Sequence, residues 1–128
     1  MNIIDTSFEK KIHVGRNLVY VKDEIVHVIA IGDNDEETAL RIRCLALEIQ
    51  EKFGSLNAMI DLNKAGKSTP EARKVWKELT ELGNVKVAFV GLHPVARVLA
   101  SFTMVVSGNK NTRFFSSQDE ALSWLKHK

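Results

Sequence analysis

The N-terminal part of the chain carries the pattern of β-strands. β-Branched and aromatic residues are dense in segments 18–22 and 25–31, and only two polar residues separate them, which predicts a tight antiparallel hairpin. Phe8, Ile12 and Val14 are spaced by even numbers, so they predict an earlier strand with one apolar face.

After residue 32, helical and strand patterns alternate along the chain. Helices are predicted from the acidic residues at 33–37 to residue 53, and over 70–82, 94–107 and 118–125; strands are predicted over 56–62, 85–90 and 112–115. Strands that alternate with helices form largely parallel sheets through crossover connections. The sequence therefore predicts an α/β fold: one domain spanning residues 1–128, with a mixed, mostly parallel sheet, an antiparallel N-terminal hairpin and about four helices.

Acidic residues precede the first predicted helix: Asp33, Asp35, Glu36 and Glu37. Carboxylates stabilise a helix N-terminus because they accept hydrogen bonds from its free N–H groups and lie at the positive end of its dipole. No histidine lies near them in the sequence. The cluster therefore predicts helix capping rather than a metal site.

The first predicted helix has two apolar stripes. One has the period of a core-facing surface and comprises Ile42, Leu45, Ala46, Ile49 and Phe53. The second lies on nearly the opposite side and comprises Leu40, Cys44 and Leu47. This second stripe either meets a neighbouring helix of the same chain or forms part of a subunit or partner contact. The cysteine in its middle is predicted to pack rather than to act as a nucleophile.

The helix predicted over 94–107 is apolar on almost every side. Such a helix is buried on both sides, and at about 14 residues it is too short to span a bilayer. Its second side therefore needs a protein, a ligand or a membrane surface against it. Together with the second stripe of the first helix, it predicts an interface or ligand cavity that includes Leu99, Phe102 and Met104.

The composition is that of an ordinary globular domain, with 45% hydrophobic and 27% charged residues. The formal net charge of +2 is small and evenly scattered, which argues against nucleic acid as a partner. A single cysteine cannot form an internal disulfide, so the composition favours a reducing, cytoplasmic compartment. No window is long and apolar enough for a transmembrane segment, and no cofactor is indicated.

The sequence patterns of catalysis and metal binding are absent. The four histidines fall in different predicted elements and form no H-x-x-x-H pair, and no nucleophile elbow occurs. The G-K-S sequence at 66–68 lacks the earlier glycine of a phosphate-binding loop, because Asp61 occupies that position. The sequence therefore favours a protein that is not an enzyme and holds no metal.

Two strand-to-helix junctions are the candidate binding sites, because α/β proteins place sites at the carboxyl ends of strands. The first follows a predicted polar loop over 63–67 and comprises Asp61, Lys64, Lys67, Ser68 and Thr69. The second comprises Gly91, Leu92, His93 and Arg97. Each junction either holds an anion through free helix N–H groups and a nearby cation, or is a well-capped helix start. In the first, Thr69 is the predicted N-cap and Pro70 the first helical residue.

The C-terminal half carries a family resemblance. Residues 87–102 read V-A-F-V-G-L-H-P-V-A-R-V-L-A-S-F, and residues 113–125 read R-F-F-S-S-Q-D-E-A-L-S-W-L. With the predicted order of elements, these segments resemble the STAS-like branch of small bacterial and archaeal proteins. Those proteins are similar in fold to the sporulation anti-sigma-factor antagonist and to CRAL-TRIO lipid-binding domains. The likeness covers about residues 16–126.

The resemblance implies a non-catalytic regulatory or protein-interaction module with an unidentified protein partner. The apolar surface of the helix predicted over 94–107, together with the second stripe of the first helix, predicts self-association as a homodimer. In phosphoswitch members of the family, a partner kinase phosphorylates a serine at the start of the helix after the third core strand, and Ser68 or Thr69 matches that position. The family has an aspartate directly before the serine, where this chain has Lys67. A phosphoswitch and a passive helix cap both stay open. The alternative function is a carrier that encloses a small apolar or lipid-like ligand beneath the helix predicted over 94–107.

Overall fold

The computed structural model of the protein describes residues 10–54, 56–80, 86–92 and 111–126. They form β1 (Ile12–Val14), β2 (Asn17–Lys22), β3 (Ile25–Asn34), α1 (Glu36–Phe53), β4 (Asn57–Ser68), α2 (Pro70–Thr80), β5 (Val87–Val90), β6 (Thr112–Phe115) and α3 (Gln118–Lys126). Three helices are thus described where the sequence predicts about four, and the helix predicted over 94–107 lies outside the described residues. None of the described helices is long and apolar enough to cross a membrane.

The strands form one six-stranded sheet in the order β1-β2-β3-β4-β5-β6. β1, β2 and β3 pair antiparallel, and β3 to β6 pair in parallel. Asp23 and Glu24 connect β2 to β3 with positive φ angles of 53° and 62°, which matches the twist of a two-residue hairpin turn. The predicted α/β fold with its mixed sheet and N-terminal hairpin is confirmed. An early strand is also found, but Phe8 lies outside the described residues.

Helices cover both faces of the sheet, because side chains alternate along each strand. α1 and α2 pack on one face, where Ile42, Ile49 and Trp76 are buried in the same cluster as alternate residues of β4 and β5. α3 packs on the opposite face, where its Ala121 and Leu125 are buried with the intervening residues of those strands. The parallel strands are therefore enclosed on both sides, and the sheet ends remain for binding.

α1 begins and ends as its sequence predicts. Asp35 is the N-cap and accepts a hydrogen bond from the N–H of Thr38 at 2.9 Å, which lowers the pKa of the Asp35 carboxyl. Glu36 and Glu37 lie in the first turn, at the positive end of the helix dipole. Gly54 ends the helix with a φ of 79°. The acidic residues from 35 to 37 therefore stabilise a helix N-terminus.

The outer stripe of α1 differs from the sequence expectation. Ile42 and Ile49 are buried as predicted, but Phe53 in the last turn is 39% exposed. Cys44 is exposed, so it does not pack in the interior of its own chain, and a subunit or partner contact of its stripe stays a prediction. The reason for the exposure is its position on the side of α1 opposite Ile42 and Ile49, where Leu47 is also 43% exposed. Among the described elements, α2 lies beside this stripe rather than over it.

β4 runs further than the sequence predicts. It extends to Ser68, so the prediction of a polar loop over 63–67 is wrong. β3 likewise continues to Asn34 instead of ending at residue 31. The two strand ends pair with each other in parallel, and their backbone hydrogen bonds hold a segment whose side chains show no apolar alternation.

Candidate functional site

β3 and β4 form a two-stranded extension at the carboxyl end of the sheet. β5 pairs with β4 only at residues 58–61, while β4 continues beside β3 to Ser68. The β3–β4 pairing shifts register twice within residues 29–34. Such shifts bend a strand and increase its twist. The extension is therefore a shaped feature at the edge where α/β proteins place binding sites.

Two buried amides hold the first register shift. Asn17 of β2 and Asn34 of β3 are 1% and 4% exposed. Asn17 Nδ2 donates to Asn34 Oδ1 at 2.7 Å, and Asn17 Oδ1 accepts from the N–H of Ile31 at 2.8 Å. The Asn17 side chain thus supplies the hydrogen-bond acceptor that the N–H of Ile31 needs where the regular strand pairing is interrupted.

Asp33 holds the second register shift. Its Oδ1 accepts a hydrogen bond from the N–H of Lys67 at 2.7 Å. A Cβ added to Gly66 would lie 2.2 Å from the same oxygen, so this approach requires glycine at position 66. Asp33 therefore stabilises the β3–β4 extension, and its prediction as part of the helix-capping cluster is wrong, because β3 continues past it.

A polar network ties the end of β4 to its neighbours. Asp61 Oδ1 accepts hydrogen bonds from the N–H and Nδ2 of Asn63 at 2.9 Å and 3.0 Å, and Asp61 Oδ2 accepts from Gln118 Nε2 at 3.0 Å. Asn63 Oδ1 in turn accepts from the N–H of Leu92 at 2.9 Å. Leu92 is 72% exposed. The network therefore holds the backbone of a residue whose apolar side chain is exposed.

The start of α2 confirms the predicted cap. Thr69 Oγ1 accepts from the N–H of Ala72 at 3.1 Å, and Pro70 is the first helical residue. The carbonyl of Ser68 accepts from Arg73 Nη1 at 2.6 Å. Thr69 is exposed and Ser68 is half-buried. The two hydroxyl residues of the candidate phosphoswitch therefore differ in accessibility.

Replacing Thr69 by alanine should lower the free energy of unfolding by about 1 kcal/mol, because the N–H of Ala72 then loses its acceptor. Thr69→Ser retains a capping oxygen and should recover most of the loss. Ser68→Ala should cost less than Thr69→Ala, since no cap is removed. Urea denaturation of the three variants measures this, and equal, negligible losses at both positions would contradict the cap.

The first predicted junction is not a single compact cluster. Asp61, Lys64, Lys67 and Ser68 follow one another along an extended strand, which rises about 3.3 Å per residue. Asp61 joins the network with Gln118, whereas Ser68 and Thr69 lie at the start of α2. Whether these residues bind an anion stays a prediction.

Two residues of this region were not predicted from the sequence, namely Asn63 and Gln118. Their hydrogen bonds join β4, the segment after β5 and the start of α3. Such contacts between distant segments leave no spacing pattern in the chain. The one signal in the sequence was a polar residue, Asn63, directly after the apolar segment that predicts a buried strand.

The remaining predicted site residues are described only in part. Gly91 of the second junction is buried, while His93 and Arg97 lie outside the described residues. Of the predicted interface or ligand cavity, Leu40 is half-buried and Cys44 and Leu47 are exposed. The other members, Leu99, Phe102 and Met104, also lie outside the described residues.

One small cavity lies between the sheet and α2, with Asn34, Ser68, Arg73 and Trp76 in its lining. Its volume is about 20 Å³, which suffices for one water molecule and not for a lipid. In the described part of the chain, no three His, Cys, Asp or Glu side chains are grouped as metal ligands.

Comparison with protein families assigns most of the chain. Residues 19–128 match the model of the family described as "Domain of unknown function (DUF7793)". The chain belongs to the DUF7793 family. Comparison of this DUF7793 chain with curated proteins gives no match.

Solved structures show which fold the DUF7793 chain has. An uncharacterized protein of the DUF3478 family from Shewanella loihica PV-4, described as having a SpoIIAA-like fold, matches with a TM-score of 0.61 and 19% identity, over 85% of this chain and 91% of that one. The anti-sigma factor antagonist SpoIIAA in its unphosphorylated form matches with a TM-score of 0.65 and 11% identity, over 88% and 99%. The predicted STAS-like fold is confirmed, while the likeness to CRAL-TRIO domains stays a prediction.

Proposed function

We propose that this DUF7793 domain is a non-catalytic regulatory module that binds a protein partner and associates with itself. The SpoIIAA-like fold supports this proposal, since one solved relative is named as an anti-sigma factor antagonist. The single cysteine, which has no second cysteine to pair with, fits a reducing compartment, and we place the protein in the cytoplasm.

The observation that carries the proposal is the exposure of Leu92 at the carboxyl end of the sheet. Leu92 is the most exposed large hydrophobic side chain in the described part of the chain, at 72%. Its backbone is held by Asn63, which is held in turn by Asp61. An exposed apolar side chain on a held backbone, at the rim of a polar surface, is typical of a protein contact, where such residues fill a pocket of the partner.

The surface around Leu92 also has a charge preference. Lys64 and Lys67 are exposed on the β4 extension that projects past the end of β5. The surface formed by Asn63, Lys64, Lys67, Thr69 and Leu92 is called the carboxyl-end surface below. It favours a partner with an apolar pocket and an acidic rim, because opposite charges steer association.

Asp61 supports a positioning role rather than a catalytic one. Both of its carboxylate oxygens accept hydrogen bonds, from Asn63 and from Gln118. A carboxylate occupied in this way orders the neighbouring segments and is not poised to transfer a proton to a substrate.

Phosphorylation would most readily regulate the module at Thr69. Thr69 is exposed, whereas Ser68 is half-buried beside α2. A phosphate on Thr69 would lie at the positive end of the α2 dipole, near Lys67, and would cancel most of the positive charge of the two lysines of the carboxyl-end surface. Its expected effect is therefore on the partner and not on the fold, and phosphopeptide mapping of protein from the native host tests it.

Site-specific photo-crosslinking tests the docking surface. A photoreactive phenylalanine analogue is placed at Leu92 in the native host, and a second strain carries it at Ser123, an exposed position on α3. We expect one defined protein adduct from position 92 and not from position 123.

Charge reversal of the lysines completes that test. Lys64→Glu with Lys67→Glu should abolish the adduct from position 92, because the acidic rim of the partner is then repelled. A neutral control, Lys64→Gln with Lys67→Gln, should weaken it only partly. Identical products from positions 92 and 123, or an adduct indifferent to the reversal, would count against this surface.

A further inference from the structure

The outer stripe of α1 is an apolar strip on a charged helix. It comprises Leu40, Cys44 and Leu47, and it lies opposite the buried Ile42 and Ile49. Cys44 and Leu47 are exposed, whereas Leu40 is half-buried and packs against the core cluster of the sheet. The spacing of four and three residues is the seam of a helix that packs lengthwise against another helix.

Two opposite charges flank this stripe on one side. Arg41 and Glu48 are exposed and stand seven residues apart, so they occupy equivalent places two turns from each other. At about 1.5 Å per residue they are separated by roughly 10 Å and cannot pair with each other. In the described part of the chain, neither takes part in an ion pair.

We propose that the outer stripe packs against the outer stripe of a second copy of this chain, with the two α1 helices antiparallel. The proposal rests on the proposed self-association and specifies its surface. Reversing the direction of the second helix sets Leu47 of each copy beside Cys44 of the other. It also brings Arg41 beside Glu48 of the second copy, and the two-fold symmetry makes this ion pair twice.

The charges select the antiparallel direction. In a parallel pair the two-fold axis runs along the helices and sets residues 41 and 48 of the two copies on opposite sides of the seam, so Arg41 does not reach Glu48 of the second copy. In the antiparallel pair both contacts are attractive. The stripe therefore complements itself in only one of the two helix orientations.

The expected dimer is weak. α1 has 18 residues and is about 27 Å long, and the outer face of one such helix is smaller than the roughly 800 Å² per partner of a standard interface. The groove between α1 and β1, with Ile12 and His13 in its lining, adjoins the stripe and enlarges the contact. We expect association in the micromolar range rather than an obligate dimer.

Sedimentation equilibrium of charge variants tests the pairing. Arg41→Glu and Glu48→Arg should each raise the dissociation constant by about tenfold or more, because each turns both ion pairs into repulsions. The double variant Arg41→Glu with Glu48→Arg restores both attractions and should recover the wild-type constant. Glu24→Arg, a charge reversal in the β2–β3 hairpin turn and outside α1, is the matched control and should change nothing.

Crosslinking through Cys44 gives a second, independent readout. Because the chain has a single cysteine, a short bis-maleimide can join two chains only through this residue. Packed helices lie about 8–10 Å apart, so the wild-type protein should give a covalent dimer. Leu47→Glu should abolish it while leaving the urea midpoint unchanged, since Leu47 is exposed.

The outcomes separate this inference from the broader proposal. A wild-type protein that remains monomeric at high micromolar concentration would overturn self-association and the α1 pairing together. A dimer that is indifferent to both single reversals, or that gives no Cys44 crosslink, would overturn the α1 pairing alone. A double variant as weak as the single variants would overturn the antiparallel direction.

Discussion

Replacing Asn17 by alanine is expected to lower the free energy of unfolding by about 2–4 kcal/mol. The side chain is 1% exposed and makes two hydrogen bonds to β3. Its removal leaves the N–H of Ile31 without an acceptor and Asn34 Oδ1 without its donor. Each unsatisfied buried group costs about 1–3 kcal/mol, so this is the largest single-residue effect expected outside the apolar core.

Urea denaturation measures the effect, with Asn63→Ala as the matched control. Asn63 is an asparagine with a similar number of hydrogen bonds, but it is exposed, so water replaces the lost partners. The midpoint of Asn17→Ala should fall sharply at an unchanged m-value. A loss no larger than that of Asn63→Ala would contradict the role assigned to the buried amides.

The free energy of unfolding should also fall as the pH drops below about 6.5, because of His27. The ring is 6% exposed and stacks on Tyr20 with centroids 4.7 Å apart. Burial lowers the pKa of His27 from its usual 6.5, and a hydrogen bond to the Lys22 backbone opposes this only in part. Below that pH the unfolded chain binds a proton on this residue and the folded chain does not, so the free energy of unfolding falls. The loss is about 1.4 kcal/mol for each pH unit by which the pKa is lowered in the folded chain.

His27→Phe isolates this contribution. Phenylalanine retains the aromatic stack on Tyr20 but cannot titrate, so its stability should change less between pH 7.5 and 5.5 than that of the wild type. His13→Gln, which replaces a histidine at an exposed position of β1, is the matched control. A wild-type slope that survives in His27→Phe would assign the acid sensitivity to other groups.

The sequence predicted the elements that are set by local chemistry. Asp35, Thr69 and Pro70 mark helix starts because their side chains act within three residues of their own position. The buried strands and the core stripe of α1 follow from hydrophobic period alone. These signals were sufficient for the α/β fold with its N-terminal hairpin.

The β3–β4 extension was not predictable in this way. Residues 63–68 are mostly polar, and what makes them a strand is the parallel partner supplied by the end of β3. That pairing depends on Asn17 and Asp33, which act across 14 and 34 residues of sequence. Long-range hydrogen bonds of this kind override a local loop pattern, so the candidate site was predicted as a loop.

Only the structure shows which of the two apolar stripes of α1 is buried and which is exposed. The helical spacing of the apolar residues predicts that Cys44 lies in an apolar stripe. Whether that stripe is buried depends on whether another element packs over it. The described helix α2 lies beside α1 instead, joined to it by the ion pair between Arg43 and Glu78. Exposure of Cys44 is therefore a consequence of helix placement, which one sequence does not encode locally.

Native mass spectrometry of the wild-type protein, purified gently from its native host, tests the central claim most directly. A protein-interaction module predicts masses at twice that of the 14.4 kDa chain, together with complexes that contain a second protein, and no ligand-sized adduct. A carrier predicts a chain with a bound lipid-sized mass that is released on denaturation. A monomer with such an adduct and no protein complex would contradict the account.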